Sequence, residues 1–142
     1  MNVASGYSGT PLPKKLGLKE GGTLVLVNPP NAIDALMVPL PETSKLARKL
    51  AANNRLVMLF CKDAATLRSA LPVVSKKLHA DGSLWISWPK KTSKLFVDLT
   101  DGGIRALALP TGLVDVKVCA VNADWSGLKL MVRKELRASW NK

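Results

Sequence analysis

Apolar residues gather along this chain in short continuous runs: TLVLVN at 23–28, RLVMLFC at 55–61 and SLWISW at 83–88. A strand with one wet face alternates, so unbroken runs predict parallel strands covered on both faces. VDVKVCAV at 114–121 and LKLMVR at 128–133 read as two further strands. Between the second and third runs, Ala64, Leu67, Leu71, Val74 and Leu78 recur at helical spacing, one stripe of an amphipathic helix over 63–78. Pro72 removes a backbone donor within that stripe and predicts a kink or two abutting helices. Strands alternating with helices make the fold class α/β: a three-layer, Rossmann-like, mostly parallel sheet with an antiparallel C-terminal hairpin, in one domain over 1–142.

Local signals fill in the connections. Thr10 before Pro11 reads as a helix cap followed by proline, with Gly17 closing the short helix PLPKKL. Gly21 and Gly22 turn the chain into the first strand. The stretch 32–54 is ambiguous: NAIDALMV fits one helical turn or two, SKLARKLAA fits a helix or a short edge strand, and Pro39 and Pro41 mark a loop. Asp81 and Gly82 read as a turn into the third strand, and Thr100 as the cap of a helix through Ile104, Leu107 and Ala108. Antiparallel pairing of the last two strands around a loop at 122–126 opposes Val116 with Val132, Val118 with Leu130 and Ala120 with Leu128. The other face then pairs Asp115 with Arg133 and Cys119 with Lys129.

Composition narrows the function classes. The 142 residues are 47% hydrophobic and 22% charged, an ordinary globular balance, and no apolar run is long enough to span a membrane. An intracellular protein is the expectation, because the start MNVASGYSGTPLPKK lacks the charged and apolar regions of a leader. A single histidine and two cysteines without a Cys-x-x-Cys pair exclude the usual His/Cys metal site within one chain. Lysine and arginine outnumber the acids 21 to 10, giving a net charge of +11, a field that attracts nucleic acid or another anionic partner. The cations are scattered, though, with no single basic block.

LHADGSLWISWPK resembles the approach to strand five of class I S-adenosylmethionine-dependent methyltransferases. GYSGTPLPKKLGLK, LWISWPKK and GLVDVKVCAVNADWSGLKL are similar to stretches of a small bacterial family carrying a domain-of-unknown-function label. That resemblance implies a standalone bacterial α/β protein and transfers no catalytic residues. The proline pair after the first strand and the pair Gly102 and Gly103 depart from the family pattern.

Ligands of open α/β sheets bind beyond the carboxyl ends of the strands, near the point where strand order reverses. Asn28, Cys61, Lys62, Trp88, Lys90 and Lys91 fall at that edge. Trp88 beside Lys90 and Lys91 could hold a base or sugar against a phosphate, or Trp88 could pack between helix and sheet with both lysines solvated. The ligand-binding candidates are therefore Asn28, Lys62, Trp88, Lys90 and Lys91. A nucleotide or S-adenosylmethionine turn requires glycine after the first strand, where this chain has Pro29, Pro30 and Asn31, so no cofactor is assigned. Asn28-Pro29-Pro30 resembles the Asn-Pro-Pro-aromatic motif of amino-group methyltransferases, but Asn31 replaces the aromatic and the motif follows the first strand instead of the fourth. A tight turn is the better reading.

Cys61 lacks a base, since His79 sits at the far end of the intervening helix, about 20 Å away. Asp98 and Asp101 have no partner carboxylate and read as brackets of a helix start. Trp125, in the loop Asp124–Gly127, reads as an anchor on the core. The favoured function is a non-enzymatic binding or accessory protein whose basic strand-end edge contacts an anionic ligand or nucleic acid. The alternative is a small relative of the methyltransferases with an atypical cofactor loop.

Overall fold

The computed structural model describes residues 10–140. Residues 6–9, the start of the first family-like stretch, and most of the segment read for a leader lie outside the described residues.

Six strands form one sheet in the order β2-β1-β3-β4-β6-β5. They are β1 (Thr23–Val27), β2 (Lys45–Ala47), β3 (Asn54–Phe60), β4 (Leu78–Pro89), β5 (Leu113–Ala120) and β6 (Trp125–Val132). The first four in that order are mutually parallel, and β6 runs antiparallel to both β4 and β5. Strand order reverses between β1 and β3: the chain goes outward to β2, then returns to the other side of β1.

The unbroken apolar runs are explained by two cores. Val25, Val57, Leu59, Leu84, Ile86 and Trp88 face one side, packed with Leu67, Leu71 and Val74 of α2 (Ala64–Lys76) and Ile104 and Ala108 of α3 (Asp101–Ala108). Leu24, Leu26, Met58, Phe60 and Trp85 face the other, under α1 (Leu12–Leu16) and the single turn Ile33–Leu36. Alternate residues go to opposite faces of a strand, so a sheet buried on both sides needs apolar residues at every position. The second layer is thin, and a buried bond pins it: the Trp85 indole Nε1–H donates to the Leu16 carbonyl at 2.9 Å.

Several local expectations are corrected. Pro11, not Thr10, caps α1, and Gly17 ends it at φ 101°, a left-handed value natural for glycine. The helix α2 runs through Pro72 as one element, with Pro72 on its exposed side. Residues 33–36 form one 3-10 turn and 45–47 a short edge strand, which resolves the ambiguous stretch. No turn separates Asp81 and Gly82 from the third strand: β4 starts at Leu78, and the pairing with β3 jumps from Asn54–Leu78 to Leu56–Ser83. The extra residues bulge out, and Gly82 passes against the Asn54 carbonyl.

The hairpin is also paired differently. Val118 opposes Leu128, Cys119 opposes Gly127 and Ala120 opposes Ser126, with a register shift between Asp115 and Lys117. Trp125 to Gly127 belong to β6 and not to the loop. The turn sets this register: the Asn122 Oδ1 accepts from the amides of Asp124 and Trp125, and Val121 N–H donates to the Trp125 carbonyl. Asp115 consequently binds the Arg105 Nε at 2.9 Å, while Arg133 donates to the Leu109 carbonyl. The apolar pairing expected on one face gives way, because β5 is an edge strand and leaves Val116 and Val118 about half exposed.

A Cβ on Gly82 would lie 2.8 Å from the Asn54 carbonyl oxygen. Gly82→Ala is expected to lower stability by about 1–3 kcal/mol, read as a shifted urea midpoint with an unchanged slope.

Candidate functional site

The sheet topology places the ends of β1, β3 and β4 at one edge, flanking the point of reversal. Asn28 follows β1 as a bend at φ 57°, a left-handed conformation that asparagine tolerates, and the turn comes later, at Asn31 and Ala32. Beside it, a shallow recess of 430 Å³ is lined by Asn28 and by Ala65, Thr66, Ser69 and Ala70 of α2. Its polar groups are an amide and two hydroxyls, and none of its lining residues carries a charge.

The other predicted residues do not line this recess. Lys62 is exposed just past β3 and next to the buried Cys61. Trp88 is 7% exposed and packed in the core with Leu99 and Ile104, which leaves little of its ring for a ligand. Lys90 is held at the edge by its backbone, whose N–H donates to the Asp124 carbonyl at 2.8 Å, and Lys91 is exposed. Lys62, Lys90 and Lys91 make no ion pair among the described residues.

Two backbone donors at the start of α2 are already engaged. The Asp63 Oδ1 accepts from both the amide and the hydroxyl of Thr66, capping α2. The Asp98 Oδ1 accepts from the Ala64 amide at 2.9 Å. Two carboxylates thus occupy the helix start where an anion would otherwise bind. Sequence reading placed Asp98 at the wrong helix: it serves α2, 34 residues earlier, and Asp101 pairs with Arg105 at 2.8 Å. Nothing in the local sequence signals a bond over that separation.

Asp98 also fastens the segment 90–99 to α2. Its other end is tied to the hairpin turn, where the Ser93 hydroxyl donates to the Asp124 Oδ1 at 2.8 Å. The segment therefore runs across the carboxyl edge as a strap. Trp125 sits beneath the same end of the sheet, edge-on to Phe60 with ring centroids 5.3 Å apart. It anchors the hairpin on the core.

The connection from β1 to β2 contains the 3-10 turn but no α-helix, and no glycine occurs between Gly22 and Gly82. The edge thus has no glycine turn and no free helix start behind β1. Cys61 offers no nucleophile: burial, with Asp63 adding to it, pushes the thiol up to about 12. His79 lies at the opposite end of the sheet, its Nδ1 accepting from the Asp81 amide. No cluster of three His, Cys, Asp or Glu residues suited to a metal occurs among the described residues. Among them, too, no helix is long and apolar enough to cross a membrane.

No protein-family model matches the chain, and no curated protein matches it. Solved structures do. A SAM dependent methyltransferase from Aquifex aeolicus is 14% identical with a TM-score of 0.61, over 84% of this chain and 87% of that one. The glycopeptide N-methyltransferase MtfA, complexed with sinefungin, is 10% identical with a TM-score of 0.52, over 93% and 88%. LepI in complex with SAM is 13% identical with a TM-score of 0.52, over 92% of this chain but only 42% of LepI. The fold is that of the class I methyltransferases.

The hydrogen bonds from Thr66 hold Asp63 below the ordinary carboxylate value of 3.8. A depressed value contributes stability above the ordinary one and loses it as pH falls through the folded one. Asp63→Asn keeps a cap but removes the titration, so below about pH 4 its stability should fall less steeply than the wild type's in urea melts across that range. Both cysteines have raised thiol values from burial. Native protein at neutral pH should resist iodoacetamide at Cys61, as read by mass, and unfolded protein should take label at both.

Proposed function

We propose that the chain is a small relative of the S-adenosylmethionine-dependent methyltransferases that binds a nucleoside-type ligand in the recess between Asn28 and α2. The observation that carries this reading is the recess itself: it lies at the switch point of a sheet whose solved neighbours include proteins bound to SAM and sinefungin. Its chemistry supports the same ligand class. An amide and hydroxyls can bond ribose hydroxyls and ring nitrogens, whereas a diphosphate needs free backbone donors or cations, and here Asp63 and Asp98 use the donors. The proline pair replaces the glycine loop, so side chains carry recognition and the affinity is modest.

A melting titration with S-adenosylmethionine and with sinefungin tests this. A saturable gain is expected, about 2.7 kcal/mol when ligand reaches a hundredfold excess over Kd. Ser69→Trp fills the recess from an exposed helix position and should abolish the gain without lowering the unliganded melting temperature. Equal melting curves with and without either ligand would overturn the reading.

A second reading is favoured by one observation: Lys62, Lys90 and Lys91 carry charge at the same edge without ion pairs among the described residues. On that reading the frame serves non-enzymatic binding of an anionic partner. Lys90→Glu with Lys91→Glu would then weaken the partner and leave nucleoside binding intact.

A further inference from the structure

A second charge imbalance lies at the other end of the sheet. A groove of 720 Å³ opens along the amino edge, next to the loop that follows α1. Its charged lining residues are Lys19, Lys49, Arg55 and Lys129 against Asp81 alone. None of the four cations is in an ion pair among the described residues. Arg55 points a guanidinium nitrogen at the His79 Nε2, 3.2 Å away, rather than at a carboxylate.

Lys129 adds an independent sign. The hairpin register sets it directly opposite Lys117 on β5. Like charges in directly opposed positions destabilise a sheet. Lys129 is half-buried, and that burial, with Lys117 beside it, lowers its affinity for a proton. An anion bound between the two lysines relieves both costs. The carboxyl edge differs: Asp34 pairs with Arg48 there, and Asp63, Asp98 and Asp124 sit among its lysines.

We propose that this amino-edge groove binds one phosphate strand of a nucleic acid through its backbone, without reading bases. Length separates this ligand from a single phosphate. Residues of β2, β1, β3, β4 and β6 all line the groove, so it crosses four inter-strand steps, about 19 Å at about 4.8 Å each. One strand of a duplex presents about five phosphates over that distance. Composition separates it from base recognition: no aromatic side chain lines the groove, so there is no stacking platform. The proposal is independent of the nucleoside recess, which shares no residue with the groove.

The test is fluorescence anisotropy of the full chain with short labelled duplex and single-stranded oligonucleotides of unrelated sequence, across a salt series. Sequence-independent binding is expected, with three or four phosphate contacts giving a 40- to 150-fold loss of affinity, roughly, between 50 and 200 mM salt. Lys19→Glu with Lys49→Glu, both exposed, should weaken binding at least fivefold and reduce the salt slope by about 2. Lys117→Gln with Lys129→Gln should do the same while melting no lower than the wild type. Lys90→Glu with Lys91→Glu should change nothing. Absence of binding overturns the proposal, as does loss confined to the Lys90 and Lys91 variant. Equal competition by inorganic phosphate at matched ionic strength also overturns it, because the groove would then be a small-anion pocket. S-adenosylmethionine stabilisation, measured on the same variants, reports separately on the recess.

Discussion

From Leu56 to Cys61 every residue is buried, so β3 has no wet face, and the architecture follows from that constraint. A strand of this kind needs strand neighbours on both edges and a packed layer on both sides. The partners β1 and β4 supply the edges, α2 and α3 one layer, and α1 with the turn at Ile33–Leu36 the other. The thin layer is held by Trp85, the largest of the fully buried side chains, which ties its indole to the Leu16 carbonyl. A large aromatic with one satisfied polar group does what a longer helix does on the opposite face.

The same constraint decides where chemistry can occur. A sheet sealed on both faces exposes polar backbone only at its two edges, which is why α/β ligands collect there. At the carboxyl edge this chain has spent much of that capacity on itself. Asp63 and Asp98 take amides at the start of α2, and the strap from Lys90 to Leu99 is bonded at both ends. What remains open is the neutral recess at Asn28. Its surroundings suit a ligand recognised by hydrogen bonds and shape more than one recognised by charge.

Legibility in the sequence tracked how many physical demands each segment satisfied at once. The runs at 55–61 and 83–88 are unbroken because both faces are buried, and their shortness favours strands over a buried helix. The stripe Leu67, Leu71 and Val74 was equally plain, though Leu78, read as its last member, begins β4, and Thr100 caps α3 with a hydroxyl that accepts from the Gly103 amide. The hairpin register was not legible, because apolar matching assumes that both strands are buried. Val116 and Val118 are half exposed on an edge, and Asn122 and the Arg105–Asp115 pair outweigh them. The long-range cap from Asp98 and the bulge at Gly82 depend on groups distant in sequence, so no local pattern encodes them. Of the candidate site, the placement of Asn28, Lys62, Lys90 and Lys91 at one edge was readable from strand ends alone. The recess needed α2 in three dimensions.

The excess positive charge poses a problem that the frame does not solve. A net +11 on 142 residues costs folding free energy through self-repulsion unless the charges are spread or neutralised by partners. Six of the chain's ten acids serve caps, ion pairs and the strap: Asp34, Asp63, Asp98, Asp101, Asp115 and Asp124. Uncompensated cations remain at both edges, Lys62, Lys90 and Lys91 at the carboxyl one and Lys19, Lys49 and Arg55 at the amino one, and in mid-hairpin Lys117 faces Lys129. That pair lies beside a groove whose cations lack carboxylate partners among the described residues, so an anion bound there would relieve both the repulsion across the hairpin and part of the net charge.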